Sequence, residues 1–237
     1  MGKTPLWQAI GNALREDIAE GRYRPGDKLP TEAELSERFG VNRHTIRHAL
    51  SALIEDNLVH TRRGSGAFVK GTPTDYPIGK RVRYHENLRA AGRYPSKRVL
   101  HVETRPATEK EAARLGMTPG DLLTSRHGIS MTDGQPIALS ISEFPEVRWP
   151  GIGEFMRENT GVTAALERAG VTDYTRLSTR VRAALANATQ AIHLELREGA
   201  PLIYTTSLSV DQNGQEIEFG RTWFASDRVT LTLEEDG

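Results

Sequence analysis

Four basic side chains in the first quarter of the sequence are spaced so that they could read DNA. They recur at intervals of three or four residues and would share the outer face of one helix: Arg43, His44, Arg47 and His48. An arginine on such a face can bridge O6 and N7 of a guanine in the major groove, a contact worth about 1–3 kcal/mol of base discrimination. An ordinary solvated surface is the alternative for a charged helix stripe.

Neighbouring residues extend this basic surface. Asn42 and Thr45 could hold phosphates or bases, and Arg62 and Arg63 would lie at the tip of a following hairpin. Residues 38–63 carry five arginines against two acidic residues, although the whole chain has 31 Lys+Arg and 31 Asp+Glu. The neutral total therefore conceals a local basic region of the kind that nucleic-acid binding requires.

A second set of cations alternates along a predicted strand. In residues 175–183 every second side chain is polar and would point the same way: Arg176, Ser178, Arg180 and Arg182. This face could bind a carboxylate or a phosphate, because guanidinium groups form paired hydrogen bonds with both. A solvated sheet face is the alternative.

Two predicted hairpin strands would place small hydroxyl groups beside these cations. Their matching faces read Ala138, Ser140, Ser142, Phe144 and Glu218, Gly220, Thr222, Phe224. Small residues leave room for a ligand, and their hydroxyls can donate hydrogen bonds. We therefore expect a pocket for a small anion lined by Arg126, Ser140, Ser142, Arg176, Arg180, Glu218 and Thr222. In it, Glu218 would pair with an arginine or accept from an amine or hydroxyl of the ligand.

The elements that must position the N-terminal cations form a winged helix-turn-helix. Apolar residues at helical spacing predict a first helix over residues 6–18. A capping box at residues 31–34 starts a second helix, and Asn42 caps a third after a three-residue turn. Strands at residues 58–61 and 67–69 then predict a hairpin, which is the wing.

The remaining chain reads as a linker and a second domain. Residues 71–77 carry turn formers without periodicity, so we expect domains at 1–70 and 79–237 joined by a linker at 71–78. Within the second domain, segments 78 to 80 residues apart resemble one another: 87–92 and 165–170, 111–120 and 190–199, 133–137 and 213–217. We predict a pseudo-symmetric α+β domain; coincidence of common helix–turn patterns is the alternative.

Composition limits the function classes further. Hydrophobic residues make up 37% and charged residues 26%, which is typical of a globular protein. The chain has no cysteine, and the His44/His48 pair has no third ligand nearby, so we expect no metal and no cofactor. With neither a signal-peptide pattern nor a long apolar run, we expect a cytoplasmic protein that does not enter a membrane.

Three runs of residues resemble the DNA-binding domain of GntR-family regulators: 28–35 (KLPTEAEL), 41–50 (VNRHTIRHAL) and 63–69 (RGSGAFV). The resemblance covers nearly all of residues 6–69. The family usually has serine or threonine at the position of Asn42, which still caps the helix. The resemblance implies DNA contacts at Glu32, Asn42, Arg43, Thr45, Arg47, Arg63 and Gly64, to which the residues themselves add His44 and Arg62. Glu32 would accept from base amino groups or orient an arginine.

Roughly residues 80–235 resemble the UTRA effector domain of the family's HutC-type branch, whose antiparallel sheet is similar to chorismate lyase. Within that branch, residues 144–145 (FP), 173–176 (DYTR), 179–180 (TR) and 218–228 (EFGRTWFASDR) look like regulators of phosphonate uptake and breakdown, the PhnF group. Sugar-phosphate sensors of the branch typically have a glutamate at the position of Ser140 and a tyrosine at that of Ala164. Their absence favours a compact oxyanion such as a phosphate or phosphonate.

The resemblance implies a transcription repressor that binds double-stranded operator DNA. We expect a homodimer on an inverted repeat, because one recognition helix reads too few base pairs. A sugar-phosphate, fatty-acid or aromatic-acid sensor is an alternative. So is a lyase-type enzyme, although the sequence has no cysteine, no Gly-x-Ser-x-Gly elbow and no phosphate loop. We assign no catalytic residue.

Overall fold

The computed structural model describes residues 5–56, 58–62, 66–71, 73–79, 94–158, 161–171 and 173–233. The chain divides into two compact units, Met1–Thr72 and Pro73–Gly237. The first unit is mainly helical and the second has helices on a large antiparallel sheet, so the fold class is α+β.

The first unit packs three helices against a two-stranded hairpin. The elements are α1 (Leu6–Ala19), α2 (Glu32–Phe39), α3 (Arg43–Glu55), β1 (Val59–Arg62) and β2 (Gly66–Val69). The inner side of α3 supplies Ile46, Ala49, Leu50 and Leu53 to a core with Ile10, Leu14 and Leu35. The strands pair antiparallel from Val59 opposite Val69 to Arg62 opposite Gly66. This is the winged helix-turn-helix that the sequence predicts.

A buried carboxylate ties α1 to the segments that follow it. The side chain of Asp17 is 3% exposed and lies 2.7 Å from Nη1 of Arg38 on α2 and 2.9 Å from Nη2 of Arg22. Since Arg38 is engaged in this way, it adds less to the basic surface than the sequence count suggests.

The second unit is built around a six-stranded antiparallel sheet with strand order β4-β5-β6-β9-β8-β7. Its strands are β4 (Pro95–Pro106), β5 (Leu122–Thr132), β6 (Gln135–Pro145), β7 (Tyr174–Leu185), β8 (Pro201–Asp211) and β9 (Glu216–Ala225). Its described helices are α4 (Glu109–Arg114), α5 (Ile152–Arg157), α6 (Val162–Arg168) and α7 (Ala188–Leu194). In the described part of the chain no helix is long and apolar enough to cross a membrane.

The sheet is pseudo-symmetric about its central pair, β6 and β9. Strands β4 and β7 begin at Pro95 and Tyr174, 79 residues apart, and α4 and α7 are separated by the same interval. Each of these helices begins with a capping box, at Thr108 and at Asn187. The predicted repeat is therefore present in the element order, except that its segment 87–92 lies outside the described residues.

The predicted linker is wrong over part of its length. Residues Thr74–Pro77 form a strand, β3, which pairs in parallel with β10 (Val229–Thr232). Thr74 is 3% exposed. The composition of this segment is that of a loop, but its partner lies some 150 residues later in the chain. Local sequence carries no signal for so distant a pairing.

Helices cover both faces of the six-stranded sheet. On the face that we call the α5–α6 face, Phe144 packs against Ile152 of α5 and Leu166 of α6. On the opposite face, the α4–α7 face, one cluster joins Leu139 to Leu194 of α7 and another joins Leu123 to Ala112 of α4. Residues opposite one another on adjacent strands share a face, so the register assigns every strand residue to one of the two.

Candidate DNA-binding surface and effector site

Two caps hold the helix-turn-helix in shape. Thr31 and Glu34 form the predicted capping box at α2, and Gly40 ends that helix in the left-handed region at φ 62°. Asn42 Oδ1 then accepts a hydrogen bond from the backbone N–H of Thr45 at 2.9 Å and one from its hydroxyl at 3.0 Å. The first turn of α3 is thereby fixed.

The outer face of α3 presents the basic residues to solvent. Arg43, His44, Arg47 and His48 are exposed, whereas Ile46 and Ala49 behind them are fully buried. The His48 ring stacks on Trp7 of α1, with ring centroids 4.1 Å apart. Because α3 begins at Arg43, Arg43 and His44 lie at its N-terminal end, the part of a recognition helix that ordinarily meets base edges.

Arg47 is already oriented by a carboxylate. Its Nε and Nη2 donate to the two oxygens of Glu32 at 3.1 and 2.8 Å. These hydrogen bonds lower the pKa of Glu32 and raise that of Arg47. Of the two roles expected for Glu32, this geometry favours the orientation of an arginine.

The wing is described only in part. Backbone pairing places Arg62 at the end of β1 opposite Gly66. The expected DNA contacts Arg63 and Gly64 lie outside the described residues.

On the α5–α6 face, the register gathers six of the seven expected effector residues. Arg126 lies opposite Ser142, which in turn lies opposite Gly220. Two residues further along the strands, Ser140 lies opposite Thr222. Glu218 and Arg176 share the row of Ser209, one on either side of it.

The seventh residue, Arg180, lies on the opposite face, so the predicted alternation of β7 is wrong. A β-bulge interrupts the strand: Arg176 pairs with Ser209 and Ser178 with Leu208, which leaves Leu177 as an extra residue. An extra residue reverses the alternation that follows it. Arg180 consequently pairs with Thr206 on the α4–α7 face, where its side chain is exposed. Ser178 and Arg182 lie on that same face.

Arg126 is the most unusual side chain of the α5–α6 face. It is 3% exposed, yet its Nε and Nη2 groups donate no hydrogen bond to any described residue. Gly128, two residues along β5, makes room for it, because a Cβ there would lie 2.8 Å from Nη1. Burial lowers the pKa of Arg126, and the carboxylate of Glu218 opposes this. A buried guanidinium with free N–H groups is poised to receive an anion.

Sequence reasoning missed other members of this face. Ser207 lies opposite Gly220 in the row of Arg126, and Thr205 lies opposite Thr222. Tyr174, at the start of β7, contacts the hydroxyl of Thr163 at 3.2 Å. The internal repeat contained a usable signal, since Ser207 stands 79 residues after Gly128 and Thr205 stands 79 residues after Arg126.

The helix-turn-helix with its basic outer face defines a class of protein, the DNA-binding regulators. Two protein-family models match the chain and agree with this class. Residues 6–69 match the bacterial regulatory proteins of the gntR family, and residues 90–230 match the UTRA domain. The chain therefore belongs to the GntR family, in the HutC-type branch that carries a UTRA domain.

Individual relatives extend over the whole chain. RB1450 of Rhizobium meliloti (strain 1021), an uncharacterized HTH-type transcriptional regulator, is 35% identical over 230 residues, covering 97% of this chain and 94% of the relative. The probable transcriptional regulator PhnF of Escherichia coli (strain K12) is 31% identical over 238 residues, which cover 96% of this chain and 94% of that relative. The crystal structure of PhnF from Mycobacterium smegmatis matches with a TM-score of 0.66 and 27% identity, over 96% of this chain and 99% of that one.

These relatives confirm the PhnF-like resemblance and the fold class. The protein is a transcriptional regulator that binds operator DNA, as its named relatives are, rather than a lyase-type enzyme.

Proposed function

We propose that this protein is a cytoplasmic repressor that binds an inverted-repeat operator as a homodimer and responds to a small oxyanion of the phosphate or phosphonate type. The anion would bind on the α5–α6 face of the second unit. The observation that carries the proposal is the buried Arg126 guanidinium, whose Nε and Nη2 groups lack a hydrogen-bond partner among the described residues.

Energetics favour an anion at this position. Burying a charge without a partner is costly, and such groups are ordinarily paired or bound to a ligand. Neither Arg126 nor Arg176 forms an ion pair within the described residues, and Nε of Arg176 is also buried without a partner. Phosphate and phosphonate oxygens would satisfy these forked donors.

The remaining polar groups suit a compact ligand. Ser142 and Thr222 offer hydroxyl groups in the rows of Arg126 and Gly128. The Ser140 hydroxyl donates to the Gly128 carbonyl at 3.3 Å, and the absence of a side chain at Gly220 makes room for the Ser207 hydroxyl. Glu218, half-buried on the same face, would accept from an amine or hydroxyl of the ligand. The polar floor disfavours a fatty acid or an aromatic acid, whose pockets are mainly apolar. A sugar phosphate remains the second candidate, because its hydroxyls would also suit Glu218.

The test is calorimetric titration of the full-length protein with inorganic phosphate, 2-aminoethylphosphonate, glucosamine 6-phosphate and sulfate. We expect Arg126→Met to weaken the best-bound anion by about ten- to a hundredfold, because charge-assisted hydrogen bonds contribute roughly 1.5–3 kcal/mol each. Arg180→Met is the matched control, since it removes the same charge from the other face. If Arg126→Met binds the anion as tightly as the wild type, the site is not on this face.

A second measurement connects the site to DNA. With operator DNA bound, addition of the best-bound anion to the wild-type protein should release the DNA. The same addition should have no effect on the Arg126→Met variant, although that variant should bind the operator normally. Release of DNA from both proteins would place the responsive site elsewhere.

A further inference from the structure

Lys97 joins the cations of the α5–α6 face through a second β-bulge. In β4, Val99 pairs with Gly128 and His101 with His127, so Leu100 is an extra residue. Before the bulge, Lys97 pairs with Ser130, which shares a face with Arg126 four residues earlier in the uninterrupted β5. Simple alternation of β4 would instead have grouped Lys97 with His101, which faces the other way.

The pseudo-symmetry of the sheet relates Lys97 to Arg176. The two residues stand 79 positions apart, the interval that separates β4 from β7. Both precede a bulge in an edge strand, Lys97 by three residues and Arg176 by one, and both pair with residues of the α5–α6 face. The two halves of the sheet therefore each contribute one cation to the face that holds Arg126.

The register places Lys97 on the same face as Arg126 and Glu218, and both charges act on its pKa. It is half-buried, and burial lowers its pKa, as does the positive charge of Arg126, while Glu218 acts in the opposite direction. Lys97 forms no ion pair in the described part of the chain. Three cations, Lys97, Arg126 and Arg176, thus share this face with the carboxylate of Glu218.

We propose that Lys97 completes an anion subsite with Arg126 that selects a doubly charged tetrahedral oxyanion over a singly charged one. This inference rests on the proposed function, because it concerns the same site. A phosphonate or phosphate monoester carries up to two charges near neutral pH, whereas a sulfonate of the same shape carries one. Two cations on one face that form no ion pair among the described residues match the double charge, and a single negative charge leaves one of them uncompensated.

The test compares 2-aminoethylphosphonate with 2-aminoethanesulfonate, which share the amine and the tetrahedral head but differ in charge. Affinities are measured by calorimetry at about pH 8, where the phosphonate is predominantly dianionic. The wild type should bind the phosphonate at least about tenfold more tightly. Lys97→Met should weaken phosphonate binding by about ten- to a hundredfold and sulfonate binding by less than about threefold, which would abolish the preference.

Two variants control for folding and for net charge. Lys97→Arg should retain most of the preference, since it keeps the charge. Arg98→Met removes a neighbouring charge that the register places on the α4–α7 face, opposite Ile129, and it should bind both probes like the wild type. Thermal unfolding of each variant confirms that the fold is retained.

The outcomes separate this inference from the proposed function. If Arg126→Met loses the phosphonate but Lys97→Met keeps both its affinity and the preference, the role of Lys97 is wrong and the site stands. If Lys97→Met weakens both probes equally, charge selection is wrong. If the wild type binds neither probe and no other oxyanion of the calorimetric panel, both proposals are overturned.

Discussion

At the scale of single residues, the two arginines of α3 differ in whether a carboxylate already orients their side chains. Arg47 is held by Glu32 through two hydrogen bonds, whereas Arg43 is exposed and has no such carboxylate partner in the described residues. An arginine fixed before DNA arrives loses less side-chain entropy on binding. Arg43, by contrast, lies at the N-terminal end of α3, where we expect base contacts, and its exposed side chain could adapt to them.

Because Arg43 is exposed at the N-terminal end of α3, we expect operator affinity to depend strongly on it. We expect Arg43→Ala to reduce operator affinity by about ten- to a hundredfold and to relax specificity at one base pair of each half-site. The measurement is a fluorescence-anisotropy titration against the operator and against single-base variants of it. Arg157→Ala, on α5 of the second unit, controls for net charge. Wild-type affinity in Arg43→Ala would show that α3 does not read this DNA.

The pH dependence of effector affinity should report on Lys97. Burial and Arg126 lower its pKa, and Glu218 opposes them. Lys97 must keep its proton to attract an anion, so phosphonate affinity should fall as the pH rises through this lowered pKa. In Lys97→Arg, which stays protonated, the fall should begin at higher pH. Calorimetry across the alkaline range measures this, and identical profiles for the two proteins would contradict it.

At the scale of elements, the two halves of the sheet use capping boxes of different charge. In the first half, Glu111 closes the box of α4 and also accepts from Arg105 of β4 at 2.7 and 2.9 Å. In the second half, the equivalent residue of α7 is the neutral Gln190. One half therefore carries an ion pair between helix and strand that the other replaces with an uncharged cap.

Glu111 should make stability depend on pH. The hydrogen bonds from Arg105 are the largest cause that lowers the pKa of Glu111 to about 2, from an ordinary value of 4.5. A lowered carboxyl pKa contributes stability that is present above the unfolded-state value and is lost as the pH falls from about 4.5 towards 2. After allowance for solvent screening, this contribution is about 1–2 kcal/mol.

The test is denaturant unfolding of Glu111→Gln, which gives α4 the cap residue of α7. The variant should be less stable than the wild type by about 1–2 kcal/mol at neutral pH, and the difference should vanish as the pH approaches the lowered pKa. Gln190→Ala is the matched control, because it removes an uncharged cap and should cost stability without a pH dependence. A pH-independent loss in Glu111→Gln would mean that the ion pair contributes nothing.

At the scale of the whole molecule, a neutral chain carries a basic helix face in one unit and, in the other, the cations of the proposed ligand site. Net charge alone would have indicated neither. Each unit has its own hydrophobic core.

The homodimer is a prediction at this scale. Two recognition helices on an inverted repeat would multiply the specificity of one, since a single helix reads few base pairs. Sedimentation equilibrium should give a dimer in solution and two chains per operator. Moving the half-sites apart by about 5 bp, half a turn of DNA, should abolish tight binding. A persistent monomer bound with full affinity to a single half-site would refute the prediction.

Local sequence was sufficient to predict the helices of the first unit. Its helices follow one another directly. Each begins or ends at a residue with a local structural reason, such as the Thr31 capping box or the left-handed Gly40. The buried face of α3 follows from its regular 3.6-residue period. The order of the elements that build the six-stranded sheet was also predictable, because the repeat and the Asp133-Gly134 and Asn213-Gly214 turns are visible in the sequence.

The composition of the proposed ligand site was decided only in the tertiary structure. Whether a strand residue faces one side of the sheet or the other depends on every bulge before it, and a bulge is a property of the pairing between strands. The bulge at Leu177 separated Arg180 from Arg176, and that at Leu100 turned Lys97 towards Arg126. Sequence alone determined which residues could bind an anion; the register of strands distant in the chain determined which of them face the same site.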